Sequence, residues 1–330
     1  MKRFSERVSE DGRSEAPESG RVLRLDGGLS SQLEVSGAAP SGALWTAQVL
    51  IDDPAAVESA HLAFLEAGAE LIITASYQLS RLNGHQAGLS RRQVDEALRD
   101  SVSVARAACR RHCDDGGSPA LVAASIGPYG AVLADGSEFR GRYGVSVADL
   151  AGFHFQRLDV ILAAEPDVIA VETMCDALEI EAIVRVLSQH PEIEAWVSFT
   201  CGPDALLRDG SLLVEAVAAV QSLAAVRAVG VNCTAPHDAD EAIEAMGAIA
   251  SVPLIAYPNA GRGWSAADHD WVGEPVWLDE TRVSRWITHG VRGLGGCCGY
   301  DAEALAGVDR ILSAVAGTER PYGNGTGEQR

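Results

Sequence analysis

Val291-Arg292-Gly293-Leu294-Gly295-Gly296-Cys297-Cys298-Gly299 has the form of a short buried strand that stops on two adjacent cysteines set among glycines. An adjacent cysteine pair is an awkward disulfide and fills a core poorly, but it can put two thiolates on one metal ion. A third cysteine, Cys233, ends another strand-like run, Ala228-Val229-Gly230-Val231-Asn232-Cys233. Three thiolates on zinc with the fourth position free make a catalytic rather than a structural site. The alternative is that Cys233 is a small buried hydrophobe and the pair incidental. Which holds depends on whether the fold brings these strand ends together.

Strand-like runs lie over 22–25, 70–74, 120–126, 168–171, 196–199, 228–233, 253–257 and 291–296. Each is apolar through most of its length, as expected where both faces are covered. Helical patterns alternate with them, one opened by Asp53 as cap with Pro54 in first position and another capped by Ser90. Eight strands alternating with helices predict a (β/α)8 TIM barrel, a single domain over 21–315. A doubly wound open sheet is the competing architecture. It would often carry a Gly-rich phosphate fingerprint after its first strand, and Asp26-Gly27-Gly28-Leu29-Ser30 is no such fingerprint. Residues 1–20 lack periodicity and are expected to be a flexible N-terminal extension, with a flexible tail over 316–330. A long irregular stretch over 129–143 is expected to lie over the active site, and a second long loop, 260–275, carries Trp264 and Trp271.

Across 330 residues, 26 basic side chains face 46 acidic ones, a net charge of −20, which argues against nucleic-acid or anionic-membrane partners. There is no apolar stretch long enough to span a bilayer and no secretory signal, and seven irregularly spaced cysteines point to a reducing cytoplasm. Oligomeric state is not legible.

A barrel of this kind works at the C-terminal ends of its strands. There the sequence places Asp26, Thr74, Glu172, Cys233, Tyr257, Asn259, Cys297 and Cys298. Cys109, Cys113, Cys175 and Cys201 fall outside that pattern and are expected not to be ligands. His61, His154 and His289 read as surface or partly buried helix residues. Asp26 and Glu172 could be a general acid and base, or could hold a substrate ammonium. An electron-rich three-thiolate metal favours the second use, because it is a poor Lewis acid for hydrolysis and suits a soft fourth ligand such as a substrate thiol. Zinc would strip that thiol's proton near neutral pH. An amino-acid thiol meets the description.

These residues resemble the homocysteine S-methyltransferase family over about 21–315. The likeness is carried by Asp26-Gly27-Gly28 with Gln32-Leu33-Glu34, Leu44-Trp45-Thr46-Ala47, Ile73-Thr74-Ala75-Ser76-Tyr77-Gln78, and Gly127-Pro128-Tyr129-Gly130 through Asp135-Gly136-Ser137-Glu138 and Gly141-Arg142-Tyr143. Glu172-Thr173, Trp196-Val197-Ser198-Phe199, Gly230-Val231-Asn232-Cys233, Tyr257-Pro258-Asn259 and Gly295-Gly296-Cys297-Cys298-Gly299 complete it. The resemblance implies zinc (Zn2+) on Cys233, Cys297 and Cys298, with the sulfur of L-homocysteine as fourth ligand. It implies Asp26 and Glu172 on the homocysteine ammonium, aided by backbone near Gly27, with Thr74 and Asn259 also in the substrate site. The methyl donor would be a sulfonium: S-methylmethionine first, S-adenosylmethionine second, with betaine as a third choice. Competing readings are a zinc hydrolase on the same barrel and a non-catalytic zinc- or thiol-binding relative. The chain departs from the family's pattern at Ala75-Ser76, where Asn is frequent, at Arg262, where an acid is frequent, and at Tyr300, where a small hydroxyl residue is frequent.

Overall fold

The computed structural model describes residues 3–8, 21–261, 263–265 and 270–318. Its strands are β1 (Leu23–Arg24), β2 (Leu71–Ile73), β3 (Leu121–Ile126), β4 (Val168–Met174), β5 (Ala195–Phe199), β6 (Val226–Asn232), β7 (Leu254–Tyr257), β8 (Gly263–Ser265), β9 (Asp270–Val272) and β10 (Val291–Leu294). Eight of them form one parallel sheet in the order β1-β10-β7-β6-β5-β4-β3-β2. A parallel bridge between Leu25 and Leu71 brings the two ends of that sheet together, so the ring is nearly closed. Helices flank it, giving a TIM-barrel-like fold. β8 and β9 are an antiparallel hairpin inside the stretch expected to be irregular over 260–275.

Helix starts follow their local chemistry. The Asp53 side chain accepts from the Ala56 amide at 3.1 Å with Pro54 in the first turn, and Ser90 and Gln93 form a capping box on the helix Arg91–Asp114. Strand side chains alternate between two apolar environments. Leu23, Leu25, Leu71, Leu121, Ala123, Val168, Ala170, Trp196, Ala228 and Ile255 fill the barrel interior. Val122, Val171, Val197, Val231 and Ala256 on the other face pack under the helices. Continuing the inward set in steps of two toward the C-terminal ends reaches Ser125, Glu172 and Ser198, and Asn232 by way of Gly230, all buried. The period of two therefore turns an apolar plug into a polar floor within one or two residues.

The expectation of a loose N-terminal extension over 1–20 is corrected for residues 3–8. Phe4–Val8 is a short helix whose Phe4 and Val8 side chains are buried in the interior cluster. The Phe4 ring lies 5.4 Å from that of Trp196, and Ser5 donates to Glu194 through both its amide and its hydroxyl. The physical reason is an apolar pair at i and i+4 available to cover the N-terminal end of the barrel. The remainder of that expectation, 9–20, lies outside the described residues, as does 319–330 of the expected tail. The last helix, Ala302–Thr318, continues past the expected end at 315. No helix among the described residues is long and apolar enough to cross a membrane.

If Phe4 closes the barrel floor, Phe4→Ala removes a fully buried ring and lowers unfolding free energy by about 3–5 kcal/mol. Chemical denaturation of the two proteins measures it; a loss under about 0.5 kcal/mol, the level of an ordinary surface change, would show that the helix contributes nothing.

Candidate active site

Cys233 follows β6, and Cys297 and Cys298 follow β10, with β7 between them. The end of β7 holds both segments. The Cys233 amide donates to the Tyr257 carbonyl at 3.2 Å and the Cys297 amide to the Pro258 carbonyl at 2.8 Å. Cys233 (φ 48°) and Gly299 (φ 87°) take left-handed backbone conformations as the chain turns, strained at the cysteine and free at the glycine. The result is three thiol sulfurs within 4.8 Å of one another. Cys233 Sγ lies 3.7 Å from Cys298 Sγ, which lies 4.0 Å from Cys297 Sγ. These separations are well beyond the roughly 2.05 Å of a disulfide. Cys298 gives up its proton most readily, because hydrogen bonds from Cys233 and Cys297 hold it well below the ordinary thiol range. Its neighbour Cys297 is pushed up by its bonds to Cys233 and Cys298.

Two buried acids face the same mouth. Asp26 Oδ2 accepts from the Ile73 amide at 2.7 Å, while Oδ1 has no partner among the described residues. The Asp26 carbonyl accepts from Gly296, and the Gly28 amide donates to the Tyr300 carbonyl at 2.8 Å, so the β1 turn is stitched to the cysteine turn. A Cβ on Gly27 would come within 2.3 Å of that same Tyr300 oxygen, which is why the turn carries no side chain there. Glu172, on β4, accepts a short hydrogen bond from the Ser125 hydroxyl. Burial pushes the Glu172 carboxyl up to about 7 against the lowering bonds from Ser125 and Tyr257. Asp26 is raised well above the carboxylate range, again chiefly by burial and further by the charge of Glu172. Buried acids and crowded thiols disfavour more negative charge, so the site's unmet demand is for a cation.

The structure thus brings Asp26, Glu172, Cys233, Cys297 and Cys298 to one mouth. Thr74 and Asn259 stand one step back. Thr74 Oγ1 accepts from the Ser125 amide at 3.1 Å and lies 2.8 Å from Ser76 Oγ, so it positions the serine that holds Glu172. Half-buried Asn259 accepts from Gly261 and shapes the loop after β7. Tyr257 is at the strand end where the sequence places it, but sequence reasoning missed the residues that hold it. The Tyr257 hydroxyl receives the Trp196 indole N–H at 2.9 Å and lies 2.6 Å from Ser198 Oγ. Asn232 ties Ser198 to Thr173 through its side-chain amide. These lie on the inward face of strands, and counting by two from the apolar interior finds Ser125, Ser198 and Asn232. Arg157 had no such signal, since an arginine in a helix reads as surface. It is buried, and its guanidinium donates to the carbonyls of Gly127, Ser76 and Tyr77, clamping the loops after β2 and β3.

The family departures also find places. Ala75 packs in a separate apolar cluster with Leu33, Leu50 and Val57, while Ser76 Oγ bonds to the Ser125 carbonyl. Tyr300 is buried against Gly296, behind the cysteine turn, and its ring meets Trp277 edge-on at 5.1 Å. Arg262 lies outside the described residues. Cys109, Cys113, Cys175 and Cys201 do not join the thiol cluster. The expectation for the histidines is corrected at two positions. His61 and His154 are wholly buried, and His154 pairs at 2.8 Å with Glu179 of the neighbouring helix Ala177–Leu187.

A family profile described as Homocysteine S-methyltransferase matches residues 23–312. Homocysteine S-methyltransferase 4 of Zea mays is 40% identical over 309 residues, covering 89% of this chain and 90% of that protein. Homocysteine S-methyltransferase of Escherichia coli (strain K12) is 36% identical over 281 residues, covering 84% and 91%. The crystal structure of the homocysteine methyltransferase MmuM from Escherichia coli in its metallated form superposes with a TM-score of 0.79 at 34% identity, covering 90% of this chain and 96% of that one.

The raised Glu172 carboxyl sets a pH dependence. The folded protein, with this group at about 7, binds more protons than the unfolded chain, with it near 4.5, between those values. Stability therefore falls as pH rises through that window and is level above it. For protein without metal or substrate, Glu172→Gln should stabilise at pH 8 by on the order of 2–4 kcal/mol and leave pH 4 nearly unchanged. Denaturant titrations of both proteins at the two pH values check this; an equal effect at both would show that ionisation of Glu172 is not the cause.

Proposed function

The chain belongs to the homocysteine S-methyltransferase family and is an enzyme of that type, and on that premise we propose that it moves a methyl group from a sulfonium donor, S-methylmethionine first, to the sulfur of L-homocysteine, giving L-methionine. The observation that carries this reading is the convergence of three thiols and two buried acids on one barrel mouth. The donor set fits zinc, since soft sulfur ligands from Cys233, Cys297 and Cys298 leave one tetrahedral position open. Bound there, zinc would lower the pKa of a substrate thiol so that it is a thiolate at neutral pH. The site would then stand at the C-terminal ends of the strands of a full (β/α)8 barrel.

The remaining work falls to the chain. Asp26 and Glu172 take the homocysteine ammonium between β1 and β4, with backbone at Gly27 alongside. Ser125 and Tyr257 orient Glu172, and Thr74 orients Ser125. Asn259 shapes the wall beside the cysteines. The homocysteine sulfur attacks the donor methyl carbon in line. A new S–CH3 bond forms, the old one breaks, and its electron pair returns to the donor sulfur. The donor leaves as a neutral thioether, so no general acid is required. Charge cancels as the step proceeds, which a dry pocket favours. A cytoplasmic location suits thiols that must stay reduced.

Replacing Cys298 by Ala should remove most of the zinc and nearly all methyl transfer, because two thiols hold the ion much less well than three. Metal analysis of the purified variant, together with methionine formation from homocysteine and a panel of S-methylmethionine, S-adenosylmethionine and betaine, tests it. Full zinc content in the variant would sink the ligand set.

Ammonium recognition can be isolated from metal binding. Removing the amino group of homocysteine, or making Glu172→Gln, should each weaken binding about tenfold to hundredfold, the worth of one charge-assisted hydrogen bond. Made together, the two changes should cost little more than one, since they delete the same contact. Strictly additive losses with zinc content unchanged would show that Glu172 does not read the ammonium.

A further inference from the structure

Within the excursion that follows β3, one carboxylate is left over. The chain runs through the short helix Tyr129–Leu133 and turns back at Ser137–Phe139. Asp135 fixes that turn by accepting from both the amide and the hydroxyl of Ser137. Gly130 lies directly beneath it, where a Cβ would come within 2.6 Å of the Glu138 amide nitrogen. The turn is thus held tightly, and it places Glu138 with its Oε2 atom buried and without a hydrogen-bond partner among the described residues. The nearby cation is engaged elsewhere: Arg140 lies 3.6 Å from Asp135 and donates to Ser137 Oγ. Burial, then the charges of Asp135 and Cys298, push the Glu138 carboxyl up to about 7. The excursion is tied to the loop after β2, where the Gln78 side chain donates to the Ala131 carbonyl at 3.2 Å, and from there the charge of Glu138 reaches Cys233, Cys298 and the Tyr77 hydroxyl.

A buried, unpaired carboxyl oxygen is costly unless a ligand satisfies it. Homocysteine does not need this one, since Asp26 and Glu172 at the strand ends already answer a single ammonium. The second substrate has to approach from outside the first. In-line transfer puts the methyl between the two sulfurs, so the positive donor sulfur lies on the loop side of the cysteines. Glu138 belongs to that loop layer rather than to the strand ends.

We propose that Glu138 selects a cationic methyl donor over its neutral thioether by facing the positive sulfur. This inference rests on the homocysteine-methylation reading above. A cationic donor gives the orphan oxygen a partner. The neutral thioether product does not, so product release follows from the reaction itself.

The test is calorimetric titration of the zinc-loaded wild type and Glu138→Gln with S-methylmethionine, with methionine as the same skeleton lacking the sulfonium charge, and with homocysteine. Glu138→Gln should weaken S-methylmethionine about tenfold to hundredfold, as for one charge-assisted contact, and change methionine and homocysteine by less than about twofold. Glu138→Asp should recover part of the loss. Unchanged homocysteine affinity shows that the variant's pocket is folded. Equal losses for S-methylmethionine and methionine, or no loss for either, would overturn the proposal. So would a wild type that binds homocysteine but not S-methylmethionine. A wild type that binds neither overturns the homocysteine reading and this inference with it.

Discussion

The spacing of the three sulfurs depends on the end of β7. The carbonyls of Tyr257 and Pro258, adjacent in the chain, point to opposite sides of their strand, and each accepts an amide from a neighbouring cysteine segment. Parallel pairing of β6 with β7 and of β7 with β10 sets the register at which those segments arrive. A one-residue slip of either strand would turn its inward face outward and separate the thiols. The cysteine turns themselves are irregular backbone, with a positive φ at Cys233, and strain of this kind persists where surrounding bonds over-determine it. Here the over-determination comes from the ladder on one side and from the Asp26–Gly28 turn on the other.

Charge imposes the second constraint. Asp26, Glu172 and Glu138 are carried into a mouth already holding three thiols, and burial raises all three acids. Full ionisation in the absence of cations would cost several kcal/mol per buried charge. On the proposed reading, the metal ion, ammonium and sulfonium that would fill the site are all positive, and each would ease ionisation of the neighbouring acids for the next. Among the described residues the nearby arginines are engaged elsewhere: Arg157, though buried close by, spends its guanidinium on backbone carbonyls, and Arg140 turns to Asp135.

Much of this was legible in the sequence. Apolar runs alternating with helical patterns gave the parallel ring, and strand ends gave the cysteines and the two acids, because both depend on local period and on a rule about where barrels do chemistry. What escaped was everything decided by contact between distant segments. Phe4–Val8 looks featureless until Trp196 and the open floor of the barrel are known. His61 and His154 look like surface until the helices are rotated onto the sheet. Arg157 carries no local mark of burial, since its partners are carbonyls that no sequence pattern displays. Glu138 was quoted within a motif, but its orphaned oxygen exists only once Gly130 lets the turn close.

The barrel interior joins these parts into one column. From the N-terminal end, Phe4 packs on Trp196, whose indole N–H donates to the Tyr257 hydroxyl. That hydroxyl meets Ser198, which donates to Asn232, and Asn232 in turn holds the Thr173 amide next to Glu172. The column passes from van der Waals contact to hydrogen bonding at a single residue, Trp196, because an indole has an apolar body and one polar edge. Below it the interior needs only volume; above it every atom needs a partner, since water is excluded. A floor of apolar side chains could seal the barrel equally well without Trp196, but it would leave the Tyr257 hydroxyl short of a donor. The tryptophan thus lets a packed core and a polar site share one barrel, and the orientation of Glu172 is set from beneath as well as from the loops above.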